Sequence, residues 1–185
     1  MERSQAMAIV DEYITNINLK RHMLAVEAAL QDYALRFDED PTLWGVVGLL
    51  HDFDWEIHPD LDRHPQEGVP ILREYHVPEE IIQAIQSHAD HTGVPRQSPM
   101  EKALFACDEV TGLITAVALV RPSRSLYDLK ASSVKKKWKD RSFAAGANRE
   151  EIARGAEEFG VELWTHVDNV IQAMRTIAPE LGLDG

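Results

Sequence analysis

Apolar residues recur at helical spacing along almost the whole chain, and nowhere do they alternate as a half-buried strand requires. Ala6, Ile9, Val10, Tyr13 and Ile14 make one stripe. Leu19, Met23, Val26, Leu30, Tyr33 and Phe37 make a second, with His22 beside Met23 on its face. Leu163, Val167, Val170, Ile171, Met174 and Ile177 make the last. The punctuation between stripes is helical too. Asp40-Pro41 sets an N-cap before a proline at the first helical position and opens a helix to Leu50. Pro78 opens another, with Ile81, Ile82, Ile85 and His88 on one side. Ser98-Pro-Met-Glu101 has capping-box spacing, and Asn148 with Glu151 is a weaker start signal. No Asn-Gly or Asp-Gly turn joins two apolar runs. This pattern predicts an all-α bundle of about eight or nine helices. At 185 residues the chain can bury one sizeable core, so a single domain over 1–185 is expected.

Several titratable residues fall on those apolar faces or at helix edges: His22, His51-Asp52, His64, His88, His91 and Asp108. Such placement is costly unless the group is paired or metal-bound. Imidazole and carboxylate are also the donors that suit Zn, Fe, Mn, Co or Ni. The most apolar stretch, Ala103 to Val120, holds Asp108 and Glu109 in its interior, which argues for a core helix over a membrane span. A formal net charge of −12 disfavours nucleic acid as a partner. The lone Cys107 excludes an internal disulfide and a cysteine-based zinc site; it reads as a small buried side chain. The start, MERSQAMAIVDEYI, has no apolar run of signal-peptide length, so a cytoplasmic protein without a membrane partner is expected. His58, His76 and His166 lie outside the pattern and read as surface or structural residues.

The order of the pieces RHMLAVEAAL (His22), GLLHDFDW (His51-Asp52), RHPQEGVPILRE (His64), QSHADHTG (His88, His91) and EKALFACDEVTG (Asp108) resembles the HD-domain superfamily of metal-dependent phosphohydrolases. The resemblance covers residues 20–111 and implies a helical metal-binding core over 18–120, with 121–185 a helical extension packed on it. It implies one divalent ion (Fe, Mn, Zn, Co, Ni or Mg) on His22, His51, Asp52 and Asp108. In two-metal members the aspartate of the His-Asp pair bridges to a second ion, here expected on His64 with His88, His91 or both. Residues three apart share a helix face, so both histidines can converge; equally, His91-Thr-Gly can be a loop leaving His91 beside the substrate. Many two-metal members follow His-Asp with Ile-Gly-Lys. This chain has Phe53-Asp54-Trp55, so the phosphate-contacting lysine is absent. Asp52 and Asp54 are the candidate catalytic carboxylates, Asp54 for proton transfer or, with Glu56, as a cap on the next loop.

Cations concentrate after the Asp108 helix: Arg121, Arg124, Lys130, Lys135, Lys136, Lys137, Lys139 and Arg141. Arg121 and Arg124 are expected at the mouth of the metal cavity, replacing the missing lysine at phosphate. Lys136 is a third candidate, although Val134 and Trp138 at four-residue spacing also suit a solvated lysine face. The run His88-x-x-His91-Thr-Gly-Val-Pro is similar to a stretch in HD-domain hydrolases of dinucleoside tetraphosphates, which suggests a nucleotide-type substrate. The expected function is hydrolysis of a small phosphorylated metabolite or nucleotide by metal-activated water. Two rivals stand beside it: a diiron oxygenase, as in relatives of myo-inositol oxygenase, and a nucleotide-binding sensor without turnover.

Overall fold

The computed structural model describes residues 1–185 and contains ten α-helices and no strand. These are α1 (Arg3–Tyr13), α2 (Ile17–Arg36), α3 (Pro41–Leu50), α4 (Val69–Glu74), α5 (Glu79–Ser87), α6 (Pro99–Leu119), α7 (Ala131–Trp138), α8 (Arg149–Phe159), α9 (Leu163–Arg175) and α10 (Ala178–Leu181). The two shortest, α4 and α10, are too brief to leave a periodic stripe, which takes the count above the eight or nine readable from pattern. The start signals act as their chemistry requires. Asp40 accepts from Thr42 N–H, Ser98 and Glu101 close a capping box, and Asn148 accepts from the N–H groups of Glu150 and Glu151. No helix is long and apolar enough to cross a membrane.

Helix α2 runs through the middle of the bundle, packed on α3, α6 and α9, while α8 lies across α6. Two glycines permit the closest approaches. A Cβ on Gly48 would stand 2.9 Å from Glu27 N on α2, and one on Gly155 would stand 2.9 Å from the Ala106 Cα on α6. One apolar cluster of buried residues joins Ile9, Val26 and Leu50 with Leu126, Val134 and Val170, so the segment after Arg121 shares the core of the rest. Its end is tied back by Leu126 N–H donating to Leu183 O at 2.8 Å. His166 is satisfied inside that core: its Nε2–H donates to Ala106 O at 2.8 Å and its Nδ1 accepts from Tyr33 O–H at 2.6 Å.

Candidate metal centre

Six side chains from five places in the chain meet between α2, α3, α5 and α6. His22 comes from the first turns of α2, and Asp108 from the middle of α6. His51 and Asp52 directly follow α3, His88 caps the end of α5, and His64 lies in the turn-rich segment before α4. They form two groups, His22–His51–Asp108 and Asp52–His64–His88, each with its ligand atoms within 4.8 Å of one another. In the first group, His22 Nε2 stands 3.2 Å from His51 Nε2 and 3.1 Å from Asp108 Oδ1. In the second, His64 Nε2 stands 3.3 Å from His88 Nε2. Asp52 spans the two: Oδ2 is 3.3 Å from His51 Nε2, and Oδ1 is 3.3 Å from His64 Nε2. Two donors each about 2.1 Å from one ion stand roughly 3.0–3.4 Å apart, so these spacings fit a shared cation in each group.

The far sides of the rings decide which nitrogen faces inward. His51 Nδ1–H donates to Gly48 O at 2.7 Å, His64 Nδ1–H to Asp54 Oδ1 at 2.8 Å, and His88 Nδ1–H to Ile85 O. Thr111 directs its own hydroxyl hydrogen to Asp108 O at 2.7 Å, so its oxygen is free to accept His22 Nδ1–H at 3.2 Å. Each ring therefore presents the Nε2 lone pair to the centre, as a neutral metal ligand must. The imidazoles and carboxylates of the centre also shift one another. Burial alone would push the His51 imidazole down, yet the Asp52 and Asp108 carboxylates hold it well above its ordinary range. Burial alone would raise Asp52 and Asp108, yet the histidines beside them hold both well down. His88, facing the site with less help, is pushed down by burial. Two partly buried carboxylates among four imidazoles make a donor set that suits divalent cations.

Three expectations about this centre are corrected. As a metal ligand His91 does not converge with His88; its other reading, a position past the helix beside the cavity, is the one the structure has. The chain turns extended at Ala89 (φ −111°, ψ 117°), which ends the helical register, and His91 Nε2–H donates to the main-chain oxygen of His64 at 2.8 Å. His91 thus holds the His64 segment and borders the cavity. Asp54 is fully buried, does not line the cavity, and orients His64 where proton transfer was expected. Its Oδ2 has no hydrogen-bond partner and sits where a Cβ on Gly68 would come within 2.7 Å, which gives the glycine of His-Pro-x-x-Gly a physical reason. Asp54→Asn should weaken the His64–His88 ion about 10–100-fold and spare the other, the usual cost of losing an orienting carboxylate. Metal titration would resolve the two; equal affinity for both ions, unchanged from wild type, would contradict that role.

The cations are the third correction. Arg121 is paired with Asp128 at 2.5 Å and bonded to Ser133 at 3.1 Å, and neither it, Arg124 nor Lys136 lines the cavity. Helix α6 continues past Asp108 to Leu119, so Arg121 lies about 20 Å along the axis from the metal ligand at 1.5 Å per residue. Lys136 is exposed on α7, while Lys135 and Lys137 lie over the Trp164 and Phe143 rings. His58 faces Glu67 at 3.4 Å, and His76 sits at φ 56° after α4, both away from the centre.

A cavity of about 740 Å³ opens over the ligands. It is lined by Phe105, Asp108, Glu109 and Gly112 on α6, by Asn148 and Glu151 at the start of α8, where Asn148 N–H reaches Glu109, and by Trp55 and Leu61. The segment before α8 is held by buried Arg149, which donates to the main-chain oxygens of Phe143, Ala144 and Ala147 at 2.6–2.7 Å. Sequence reasoning missed this wall, although the spacing of 105, 108, 109 and 112 on one helix face was available as a signal. Glu109 is pushed up to about 7, first by burial and then by the neighbouring Asp108 carboxylate. Cys107 points into the core, where burial pushes its thiol up.

A family model described as HD domain matches residues 19–113. Ribonuclease Y of Lactobacillus acidophilus is 28% identical over 137 residues, 72% of this chain and 25% of that protein. The chain thus spans about a quarter of the length of the curated relative it matches. No solved structure matches it.

Proposed function

From the premise that this chain belongs to the HD domain family, we propose that it hydrolyses a phosphate ester or anhydride of a small metabolite or nucleotide with one or two divalent ions. One observation carries the reading. Four imidazoles, each anchored through Nδ1, turn Nε2 toward two carboxylates, and one of these, Asp52, faces both groups. Divalent ions held there supply water acidified toward neutrality and neutralise charge on phosphoryl oxygens. The chain itself supplies the rest. Asp52 ties the two groups together, and Asp54, Thr111 and the carbonyls of Gly48 and Ile85 fix the ring orientations. The cavity lining includes no Ser, Thr, Cys, Tyr or Lys, which supports water as the nucleophile and counts against a covalent intermediate on one of those side chains.

Two rivals have specific support. The name of the Ribonuclease Y relative favours cleavage of RNA, against which stand the net charge of −12 and a cavity without Lys or Arg. A centre of four histidines and two carboxylates would also serve two irons in an oxygenase. Anaerobic purification with metal analysis should find one or two first-row divalent ions. Phosphate should then be released from small esters in the presence of Mn, Fe, Co, Ni or Mg. Oxygen uptake without phosphate release, or cleavage of an RNA oligonucleotide but of no small ester, would replace this reading with one of the rivals.

A further inference from the structure

Beyond its metal ligands the cavity offers carboxylates, His91, Asn148, small residues and apolar surface, and no Lys or Arg. A helix N-terminus is where a phosphate commonly finds main-chain N–H groups, and α8 begins in the cavity wall. That position is already taken. Glu109 Oε2 accepts Asn148 N–H at 3.1 Å, and Asn148 Oδ1 accepts from Glu150 and Glu151 N–H at 3.0 and 3.3 Å. The nearby guanidiniums are committed as well: Arg96 to Asp90 and Glu158, Arg154 to Asp90, and Arg149 to main-chain oxygens. By contrast, Glu109 Oε1 and Glu151 Oε2 take no part in these bonds. The floor beside them is open, since a Cβ on Gly112 or Gly146 would meet nothing within 4 Å.

Charge arithmetic turns this into selectivity. With both groups occupied, two divalent cations against Asp52 and Asp108 would leave two positive charges, which one phosphoryl dianion would neutralise. A second phosphate would face the Glu151 carboxylate in a partly enclosed cleft without Lys or Arg, where like charges repel more strongly than in bulk water. We propose that the site selects substrates carrying a single phosphoryl group on an uncharged, hydroxyl-bearing remainder. Glu151 enforces this by repelling any further phosphate, and Glu109 beside it by offering a hydroxyl partner where a phosphate would need a cation. The inference rests on the phosphohydrolase reading and names its substrate class.

The test compares adenosine 5′-monophosphate with adenosine 3′,5′-bisphosphate on the Mn-loaded protein, since the two differ by one phosphate across the ribose. Binding by calorimetry and kcat/KM should both favour the monophosphate by about tenfold or more. In Glu109→Gln with Glu151→Gln, metal content unchanged, that ratio should fall toward one, chiefly through tighter bisphosphate binding. Glu151→Gln alone, which is remote from Asp108 in sequence, should move it part of the way and serves if the double variant loses metal. Equal or better binding of the bisphosphate by wild type would overturn the proposal. So would binding of neither nucleotide, or a ratio untouched in the metal-loaded variants. Selective binding without turnover would leave the selection standing and remove the hydrolase reading; turnover without selectivity would do the reverse.

Discussion

Asp52→Ala should remove the metal-dependent part of this protein's stability and nearly all of its turnover. Its carboxylate is the one group that faces both clusters, with Oδ2 at 3.3 Å from His51 Nε2 and Oδ1 at 3.3 Å from His64 Nε2. The remaining ligands come from elements far apart in sequence, so ions in the two groups would together tie α2, α3, α5 and α6. An ion at a hundred times its dissociation constant stabilises a folded protein by about 2.7 kcal/mol. For a chain of 185 residues that corresponds to a rise in Tm of about 5–10 °C. Wild type should show that rise on metal addition and the variant little of it. With chelator present the gap should narrow, because the metal-dependent part of the difference is then gone. Losing several kcal/mol of charge stabilisation should lower kcat about a hundredfold to a thousandfold. Full metal occupancy in Asp52→Ala would contradict the bridging assignment.

Gly48→Ala should be nearly as damaging, although Gly48 binds nothing through a side chain. The added Cβ would stand 2.7 Å from Leu30 Cδ1, 2.9 Å from Glu27 N and 3.0 Å from Glu27 Cα. Leu30 can rotate; the α2 backbone cannot step aside without parting α2 from α3. Overpacking of this kind costs about 1–3 kcal/mol, more than the roughly 1 kcal/mol gained from alanine's helix propensity. The parting would also separate His22 on α2 from His51 just after α3, whose Nε2 atoms now stand 3.2 Å apart. Metal affinity and Tm should therefore fall together. Gly112→Ala makes the control of opposite sign: its Cβ meets nothing within 4 Å, so helix α6 should gain about 0.5–1 kcal/mol. Thermal melts with and without metal separate the two; a Gly48→Ala protein as stable as wild type would show that the helices can part cheaply.

The chain reads its own local structure plainly. The stripes, the proline at the start of α3, the capping box of α6 and the Asn148 cap all depend on residues within four positions of one another. The six side chains that meet at the centre were likewise recognisable, because a histidine or aspartate on an apolar helix face stands out against its neighbours. What lies one step further out was decided only by how the helices pack. Asp54 looked like a proton carrier from its place beside the His-Asp pair, and the fold turns it inward beneath His64. His91 shared a helical spacing with His88 until Ala89 broke the register. Arg121 and Arg124 directly follow the helix carrying Asp108, yet the length of that helix sets Arg121 about 20 Å along the axis from the site. The cavity wall of Glu109 and Asn148 joins residues 39 positions apart, on helices whose separation is set by Gly155 against Ala106. Periodicity fixes which face of a helix is apolar; the distance and rotation between helix axes come from close packing summed over the whole core, and those decide which polar groups meet.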